Sequence, residues 1–574
     1  MKALPAWLSL GMALLLASPA RASHGPLSGL AAQVQPTLQA QFESAARVAV
    51  GGSEALTERL RLFYQKRDYA PAWVAAEGLA EDAEHLIEVL RRAGDQGLVP
   101  EDYHIGPILP RLAEAAPGPL AELEVLLTDG FLRYCVDLRS GRADPRQADP
   151  EWFVVADRID HLAALERALA AHALGRALGG LAPRSPAYER LGEALRRYRR
   201  VAADGGWAAL PGSPTLKPGV THPAVGALRE RLRASGDGGT LGGSDAFNTA
   251  LAEAVAGFQR RHGLEPDGVV GPRTRAALDV PVADRIRQLL WNLERWRWMP
   301  RELPGRYLLV NMADFSLEAI EGDRPVLRMR VIVGREYRQT PAFSEPVRYL
   351  VLNPYWNVPP SIARRDLLPK ILADPAFLAR EGFRVFGDCS AGAAELDPAA
   401  IDWAAAGRGA FPYKLRQDPG PHNALGRIKF MLPNRFDVYL HDTPHRELFA
   451  KTVRTFSSGC IRVEDPVSLA AYLLRASPEW DAASLRLAVE AGERRVLSLP
   501  EPEPVFLVYW TAWADPDGTV QFRDDVYGRD RSLAEALARQ GGARGPHPTA
   551  LNRLGGRTGH ASTSSRDGAV VEMG

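Results

Sequence analysis

The sequence has little of what marks nucleic-acid binders, zinc proteins or membrane-embedded chains. Its 574 residues carry 70 Lys and Arg against 69 Asp and Glu, which gives a net charge of +1. Nucleic acid or an anionic membrane would favour a basic excess, so neither is expected as a partner, although a local basic patch is not excluded. His and Cys residues form no cluster at the spacing of a structural zinc site, and we expect neither a metal nor another cofactor.

Cysteine is scarce, and its odd count matters in an exported protein. Cys135, Cys389 and Cys460 cannot all pair with one another, so at least one thiol stays free. Cys135 lies in a helical pattern and is interpreted as a small core residue. Cys389 lies in a Gly/Ala-rich loop, and nothing supports a bridge between it and Cys135. The count alone does not single out Cys460; its surroundings do.

Long hydrophobic runs are also missing, apart from a short one at the N-terminus. Lys2 precedes an apolar stretch at 6–17, which is shorter than the roughly 20 residues that a membrane-spanning helix needs. Ala-Arg-Ala at 20–22 fits a cleavage site, so residues 1–22 are predicted to be a secretory signal peptide and the protein to be periplasmic. The alternative is an uncleaved inner-membrane anchor. In both cases the rest of the chain is exported.

The length predicts three or four structural units, at roughly 100–200 residues per domain. A helical scaffold domain is expected at 40–205, with helical patterns at 81–93, 119–139, 161–178 and 186–203. A Gly/Pro-rich linker follows at 204–221. Residues after 530 are rich in Gly, Arg, Ser and Thr, and we expect a disordered tail at 531–574.

Residues 218–280 carry three short helical patterns and a specific turn. Between the second and third patterns, the run from Phe258 to Thr274 holds Gly-Leu-Glu-Pro-Asp-Gly and a Gly-Pro helix start. This run resembles the peptidoglycan-binding domain type 1, and the resemblance implies a three-helix bundle. The module could bind glycan or serve as a structural spacer.

A β-rich domain is predicted at 303–530. It follows a helix whose tryptophans, Trp291, Trp296 and Trp298, are interpreted as a packing seam rather than a sugar platform. Short β-type runs occur at 307–311, 316–320, 327–333, 349–353, 427–432 and 436–440. The partly helical insertion at 361–415 is typical of a lid or binding element. The predicted fold class is therefore α+β and multidomain.

The residues that could carry out a reaction lie between 436 and 469. His441 ends a predicted strand, and Cys460 follows far enough along the chain to cross back and meet it. An imidazole can generate the attacking thiolate by taking the thiol proton. Gly459 permits a sharp turn, and the amides of Gly459 and Cys460 are predicted to face a developing oxyanion. Arg462 would point the same way as Cys460 in an extended strand and could hold a substrate carboxylate.

His441 and the run Ser-Ser-Gly-Cys-Ile-Arg at 457–462 resemble the signature of the YkuD-type L,D-transpeptidase family. Many members have Gly after the His and a second His before the Gly-Cys pair. Asp442 and Ser458 hold those places here, as in the large branch with a helical scaffold, a peptidoglycan-binding module and a capped active site. The resemblance covers about 40–530.

The resemblance implies a reaction and a set of partners. Cys460 would attack the carbonyl of meso-diaminopimelate in a tetrapeptide stem and release D-Ala, with His441 as the base. The side-chain amine of a second diaminopimelate would then take the acyl group. The partners implied are stem peptides, glycan strands, carbapenem-type β-lactams as covalent inhibitors and cell-wall synthesis proteins. Further substrate contacts are expected from Ser457, Ser458, Asp442, Tyr355 and Trp356; plain packing is the alternative for the last two.

Other functions could use the same groups. A cell-wall cysteine hydrolase or L,D-carboxypeptidase would pass the acyl group to water, but papain-like wall hydrolases usually place Cys before His. A transpeptidase that attaches a protein to peptidoglycan would differ only in its acceptor. A catalytically idle wall-binding scaffold is disfavoured by the intact His441 and Gly-Cys-x-Arg.

Overall fold

The computed structural model describes residues 27–43, 54–156, 160–239, 242–388, 390, 392–408 and 411–543. The predicted signal peptide, Cys389 and the end of the tail lie outside the described residues. The chain divides into two compact units: Met1–Gly94, Leu98–Cys135 and Ile159–Gly180 form the first, and Asp95–Gly97, Val136–Arg158 and Leu181–Gly574 the second. None of the described helices is long and apolar enough to cross a membrane.

The scaffold segment is helical, as the sequence predicts. Three of its four helical patterns each correspond to one helix, whereas the pattern at 161–178 is broken near His172, whose φ is +46°. Cys135 is a buried free thiol, as interpreted. The α-helices are α1 (Gly29–Glu43), α2 (Glu54–Lys66), α3 (Glu81–Arg91), α4 (Ile105–Arg111), α5 (Pro117–Ser140), α6 (Pro145–Ala148), α7 (His161–Ala170), α8 (Leu174–Gly179) and α9 (Pro186–Ala203).

The predicted three-helix module is confirmed, with α10 (Ala224–Ala234), α11 (Thr249–Arg261) and α12 (Pro272–Asp279). Part of the stretch predicted as a linker belongs to this module. Leu210 and Leu216 are buried in its core, and Leu216 forms an isolated β-bridge with Val270. Burial of these two apolar side chains in the core lowers the free energy of the folded chain, whereas a solvated linker would leave them exposed to water.

Gln259 explains why a Phe-Gln pair accompanies the Asp-Gly turn in this module. Its buried amide donates to Asp267 Oδ1 (2.7 Å) and to the carbonyl of Val269 (3.0 Å), and it accepts from the amide of Gly268 (2.8 Å). Gly268 has φ +69°, a conformation that favours glycine. The side chain therefore locks the turn to α11.

Helix α13 (Val282–Arg297) leads into the β-rich domain. The packing-seam interpretation holds for two tryptophans: Trp296 stacks on Trp510 with ring centroids 4.4 Å apart, and Trp298 meets Trp152 at 5.2 Å. The first strands match the predicted runs: β1 (Arg306–Asn311), β2 (Ser316–Glu321), β3 (Arg324–Gly334) and β4 (Ser344–Leu352).

The insertion contains a sheet that the sequence analysis missed, because its strands are only two to four residues long. They pair in the order β5-β8-β6-β7. This sheet extends the insertion beyond the predicted 361–415, and a π-helical turn at Ala363–Leu367 separates two of its helices. The elements are β5 (Trp356–Asn357), α14 (Pro360–Ile362), α15 (Leu368–Ala373), α16 (Phe377–Arg380), β6 (Phe383–Phe386), β7 (Glu395–Leu396), α17 (Trp403–Ala406) and β8 (Lys414–Gln417).

The remaining elements close the large sheet, whose order is β11-β3-β12-β10-β9-β4-β13-β1-β2 with β2 also paired to β3. The sheet therefore closes on itself. The strand predicted at 436–440 is mostly wrong, because a turn held by Asn434 precedes it. The elements are β9 (Ile428–Met431), β10 (Leu440–His441), β11 (Thr455–Ser457), β12 (Ile461–Val463), α18 (Pro466–Leu473), α19 (Ala482–Glu490), β13 (Arg495–Val508), β14 (Ala512–Ala514), β15 (Val520–Phe522) and α20 (Arg529–Ala543).

The predicted disordered tail is wrong over its first part, because α20 reaches Ala543. Leu533 and Ala536 are buried in the core of the β-rich domain. Asp530 forms a buried ion pair with Arg295 at 2.5 Å. These contacts stabilise the helix despite the polar composition that suggested disorder. The Ser/Thr/Gly-rich remainder lies outside the described residues.

Candidate active site

The candidate groups lie on one face of neighbouring strands. Strands β10 and β12 pair in parallel, with Leu440 opposite Ile461 and His441 opposite Arg462. Residues opposite each other in a parallel pair share a face, so the side chains of His441 and Arg462 lie on the same side of the sheet. The Tyr439 ring lies against His441, with ring centroids 5.6 Å apart, and its hydroxyl contacts the Cys460 side chain. The predicted meeting of His441 and Cys460 is consistent with these contacts.

Lys429 joins the same group from β9, where it pairs with His441 across the antiparallel ladder. Its Nζ lies 3.7 Å from the centroid of the Tyr439 ring. Burial lowers the pKa of Lys429, and the nearby Cys460 opposes that shift. The site therefore contains two cations, Lys429 and Arg462, beside one thiol and one imidazole.

The loop that carries Cys460 is stabilised by hydrogen bonds to buried neighbouring residues. Gly459 has φ +117°, which favours glycine, and its carbonyl accepts a hydrogen bond from Thr340 Oγ1 at 2.7 Å. Thr340 is held in turn by Arg529 at the start of α20, which donates to its carbonyl at 2.9 Å. Helix α20, which the sequence analysis missed, thus supports the loop that carries Cys460.

Ser457 is part of that internal bracing. It is buried, its hydroxyl donates to the carbonyl of Cys460 (2.5 Å), and it accepts from the amide of Gly459 (3.1 Å). Both contacts lie within the loop, so the geometry does not favour Ser457 as a substrate contact. The same bond takes the Gly459 amide away from a developing oxyanion, contrary to the sequence prediction. The hydroxyl of Tyr439, which contacts the Cys460 side chain, is a further candidate donor.

His441 is buried, and its Nδ1 lies 2.5 Å from the backbone carbonyl oxygen of Asp442. That contact assigns the proton to Nδ1 and leaves Nε2 with a lone pair. Burial, aided by the positive charges of Arg462 and Lys429, lowers the pKa of His441 to about 3. The imidazole is therefore neutral near pH 7 and able to accept a proton.

The Asp442 side chain does not face the substrate side of the site, contrary to the prediction. Its carboxylate accepts from the amide of Arg427 (2.8 Å) and from Nη1 of Arg446 (2.9 Å). Successive side chains on a strand point to opposite faces, which turns Asp442 away from His441. Asp442 orients the imidazole through its backbone carbonyl alone.

The Cys460 thiol donates to the carbonyl of Asp437 at 3.7 Å. Burial raises the pKa of this thiol, whereas the backbone and hydroxyl of Tyr439 and the charges of Lys429 and Arg462 lower it. The thiol and the imidazole are therefore both neutral near pH 7. A thiolate at this site would need a proton acceptor.

The sequence analysis missed Lys429 and Tyr439 as site residues. The Tyr439 hydroxyl contacts the side chains of Cys460 and Trp356. Tyr439 could have been found from alternation, because it lies two residues before His441 on the same face. Lys429 could also have been found from the sequence, because a charged residue within an apolar β-type run indicates a functional position.

Arg338 links the insertion to the loop at 457–460 that carries Cys460. This arginine donates to Ser458 Oγ at 2.9 Å and forms an ion pair with Asp366 of the π-helical turn at 2.5 Å. Tyr355 is 40% exposed, so a ligand could reach its ring. The Arg416 guanidinium lies 4.6 Å from the centroid of that ring. Trp356 is half-buried against the core of the insertion.

We expect Lys429→Met to raise the pKa of Cys460, because the positive charge of Lys429 stabilises the thiolate. Alkylation of Cys460 by iodoacetamide at pH 7.5 should then slow roughly tenfold. The rate is measured by mass spectrometry of the tryptic peptide 455–462 across a pH series. Lys429→Arg, which keeps the charge, is the matched control; an unchanged pH profile in Lys429→Met would refute this electrostatic role.

Comparisons with known proteins assign three segments of the chain to families. Three segments match family models: residues 58–195 match a scaffold domain, 221–278 a "Putative peptidoglycan binding domain", and 305–482 the L,D-transpeptidase catalytic domain, YkuD. The catalytic-domain match includes His441 and Cys460. The resemblance drawn from the residues therefore agrees with the family models over these three segments.

One curated relative and one solved structure complete the comparison. A Haemophilus influenzae protein named "Putative L,D-transpeptidase" is 35% identical over 247 residues, which is 43% of this chain. The chain spans about half the length of that relative, 49%. The crystal structure of an L,D-transpeptidase fragment from Xylanimonas cellulosilytica matches 52% of this chain and 99% of its own, at 18% identity and a TM-score of 0.15, too low to add to the assignment.

Proposed function

On the premise that this chain carries a YkuD-type L,D-transpeptidase catalytic domain, we propose that it is a peptidoglycan L,D-transpeptidase with Cys460 as nucleophile. The observation that carries the proposal is the parallel pairing of β10 and β12. It brings the neutral imidazole of His441 and the guanidinium of Arg462 to one site with the thiol of Cys460, which directly precedes β12. The donor would be a tetrapeptide stem, attacked at the carbonyl of its diaminopimelate.

In the acylation step, the C–N bond to D-Ala is replaced by a C–S bond to Cys460, and one proton passes from the thiol to the departing amine. Cys460 Sγ turns from the carbonyl of Asp437 and passes its proton to His441 Nε2 while it attacks the carbonyl carbon. The oxyanion is stabilised by the amide of Cys460 and the hydroxyl of Tyr439. As the C–N bond breaks, His441 returns that proton to the departing amine of D-Ala. The product is a thioester on Cys460.

Transfer reverses the roles of the same groups. The side-chain amine of a second diaminopimelate attacks the thioester carbonyl, and its proton passes to His441 Nε2. The C–S bond then breaks, and the thiolate of Cys460 regains the proton. Burial of His441 supports amine transfer over hydrolysis, because it limits the access of water.

The setting of the enzyme follows from the same proposal. A wall substrate requires action outside the cytoplasm, in the periplasm. The peptidoglycan-binding module would hold glycan strands near the catalytic domain. Carbapenems are expected to acylate Cys460, because a strained β-lactam carbonyl presents the same electrophile as the donor stem.

Product analysis tests the proposed acceptor. Purified enzyme is incubated with disaccharide-tetrapeptide, and the products are separated and weighed by mass spectrometry. The proposal expects D-Ala release together with a dimer joined through two diaminopimelate residues. Tripeptide monomer without dimer would assign the enzyme to the hydrolases instead, and no release of D-Ala would contradict the acylation step.

A further inference from the structure

A cavity of about 190 Å³ lies over one face of the hairpin formed by β1 and β2. Leu309 of β1 pairs with Glu318 of β2, and alternate residues of both strands form the floor of the cavity. None of the described residues that line it belongs to the Cys460 site or to the three-helix module. Cavities of about 150 Å³ can hold benzene, so this one has room for a six-membered ring.

Tryptophan side chains form the aromatic wall of this cavity. Trp296 and Trp510 stack on each other, with ring centroids 4.4 Å apart. Trp513 of β14 is half-buried, and its Nε1 donates to Asp515 Oδ1 at 2.9 Å, which fixes the indole. The exposed part of the Trp513 indole is a flat apolar surface on which a ring can pack.

The polar groups of the cavity include several acceptors and one unmet donor. Arg328 pairs with Asp314 at 3.1 Å and with Glu318 at 3.4 Å. The carboxylate of Asp323, by contrast, forms no ion pair with any described residue. Trp510 is only 5% exposed, and its indole Nε1 has no hydrogen-bond partner in the part of the chain that the structure describes. A ligand that supplies an acceptor would remove the cost of this buried donor.

The chemistry of the lining specifies the class of ligand. Carboxylates only accept hydrogen bonds and an indole N–H only donates, so the ligand must both donate and accept. It must also present an apolar face to Trp513. Sugar rings meet both conditions, because their hydroxyls donate and accept and their C–H faces are apolar. An alkylammonium ion would suit the rings and the carboxylates, but it has no acceptor for Trp510.

On the basis of the proposed function, which makes the cell wall the substrate, we propose that this cavity binds one sugar ring of a glycan strand. The catalytic domain would then hold the strand itself, in addition to the peptidoglycan-binding module. Strands β3 and β12 lie between β2 and the β10 strand that carries His441, so the held sugar would be separate from the reacting stem.

Fluorine NMR of the full-length chain, labelled with fluorotryptophan, tests this inference at the cavity itself. The resonance of Trp513 is identified by its loss in Trp513→Phe. Chitotetraose, a neutral oligomer of N-acetylglucosamine, is the sugar probe, and cadaverine is the ammonium probe. Both are titrated into wild type, Asp323→Asn and Glu318→Gln, with Asp204→Asn as the control at an exposed carboxylate outside the cavity lining.

The inference expects chitotetraose to shift the Trp513 resonance in a saturable way. The Kd read from that shift should rise roughly 3- to 10-fold in Asp323→Asn and in Glu318→Gln, the range for one lost hydrogen bond, and stay at the wild-type value in Asp204→Asn. Shifts confined to other tryptophans, or an unchanged Kd in both cavity variants, would overturn the inference. A saturable shift with cadaverine alone would assign the cavity to cations instead. These titrations need no turnover, so D-Ala release from disaccharide-tetrapeptide tests the proposed function separately.

Discussion

Replacing Cys460 with alanine is expected to lower the rate of D-Ala release by at least roughly 10⁴-fold, because no other group can form the thioester. The neighbouring cations, the Tyr439 hydroxyl and the braced loop all act on the sulfur, so they contribute little once it is gone. Cys460→Ser should be nearly as inactive, because a serine hydroxyl ionises far less readily than a thiol. The measurement is D-Ala release from disaccharide-tetrapeptide under single-turnover conditions.

A matched control separates the nucleophile from cysteine loss in general. Cys135 is buried within α5, and burial raises the pKa of its thiol, so it behaves as a small core residue. Cys135→Ala should therefore retain the wild-type rate within about twofold. Normal D-Ala release by Cys460→Ala would remove Cys460 from the mechanism.

Replacing His441 with glutamine is expected to lower kcat/KM by roughly 10²- to 10⁴-fold near neutral pH, the usual contribution of a general base. Without the imidazole, the reaction depends on the thiolate already present, and burial raises the pKa of Cys460. The activity of His441→Gln should therefore rise about tenfold per pH unit between pH 6 and 8. Wild type should stay nearly flat there, because the pKa of His441 is about 3.

The same burial of His441 predicts a stability effect with a definite sign. Its pKa is about 3 in the folded protein and near 6.5 when exposed, so the unfolded chain binds the extra proton first as pH falls. This contribution to the free energy of unfolding is present above pH 6.5 and is lost between pH 6.5 and 3. Wild type should therefore lose more thermal stability over that window than His441→Gln.

His445→Gln is the control for both measurements. His445 is exposed and lies four residues further along the chain, so its loss should alter neither the pH profile nor the acid window of stability. A flat pH–rate profile for His441→Gln at wild-type activity would show that another group serves as the base.

Residue pattern predicted the helices and the first strands but not the central strand β13. Residues 495–508 contain Pro500, Pro502 and Pro504, and proline argues against a paired strand. The structure accommodates them because the pairing with β4 shifts register between Ser498 and Glu503. Such a bulge depends on the neighbouring strand, which local sequence does not reveal.

Cys460 and His441 could be named as candidates from the sequence because their context, a Gly-Cys-x-Arg run after a His, is specific. The roles of Ser457, Asp442 and the Gly459 amide could not, because each depends on which neighbour a side chain or amide bonds. Lys429 reaches the site only through the pairing of β9 with β10. That information is tertiary, so local sequence does not reveal it.

The most direct test of the central claim is to trap the thioester on Cys460. A donor stem whose diaminopimelate side-chain amine is acetylated cannot serve as an acceptor, so the acyl-enzyme should accumulate until water removes it. After rapid acid quenching and digestion, the peptide 455–462 is weighed and D-Ala is counted. The account predicts an initial burst of D-Ala equal to the amount of enzyme, with the disaccharide-tripeptide acyl group on Cys460. A burst of D-Ala with Cys460 unmodified would contradict it.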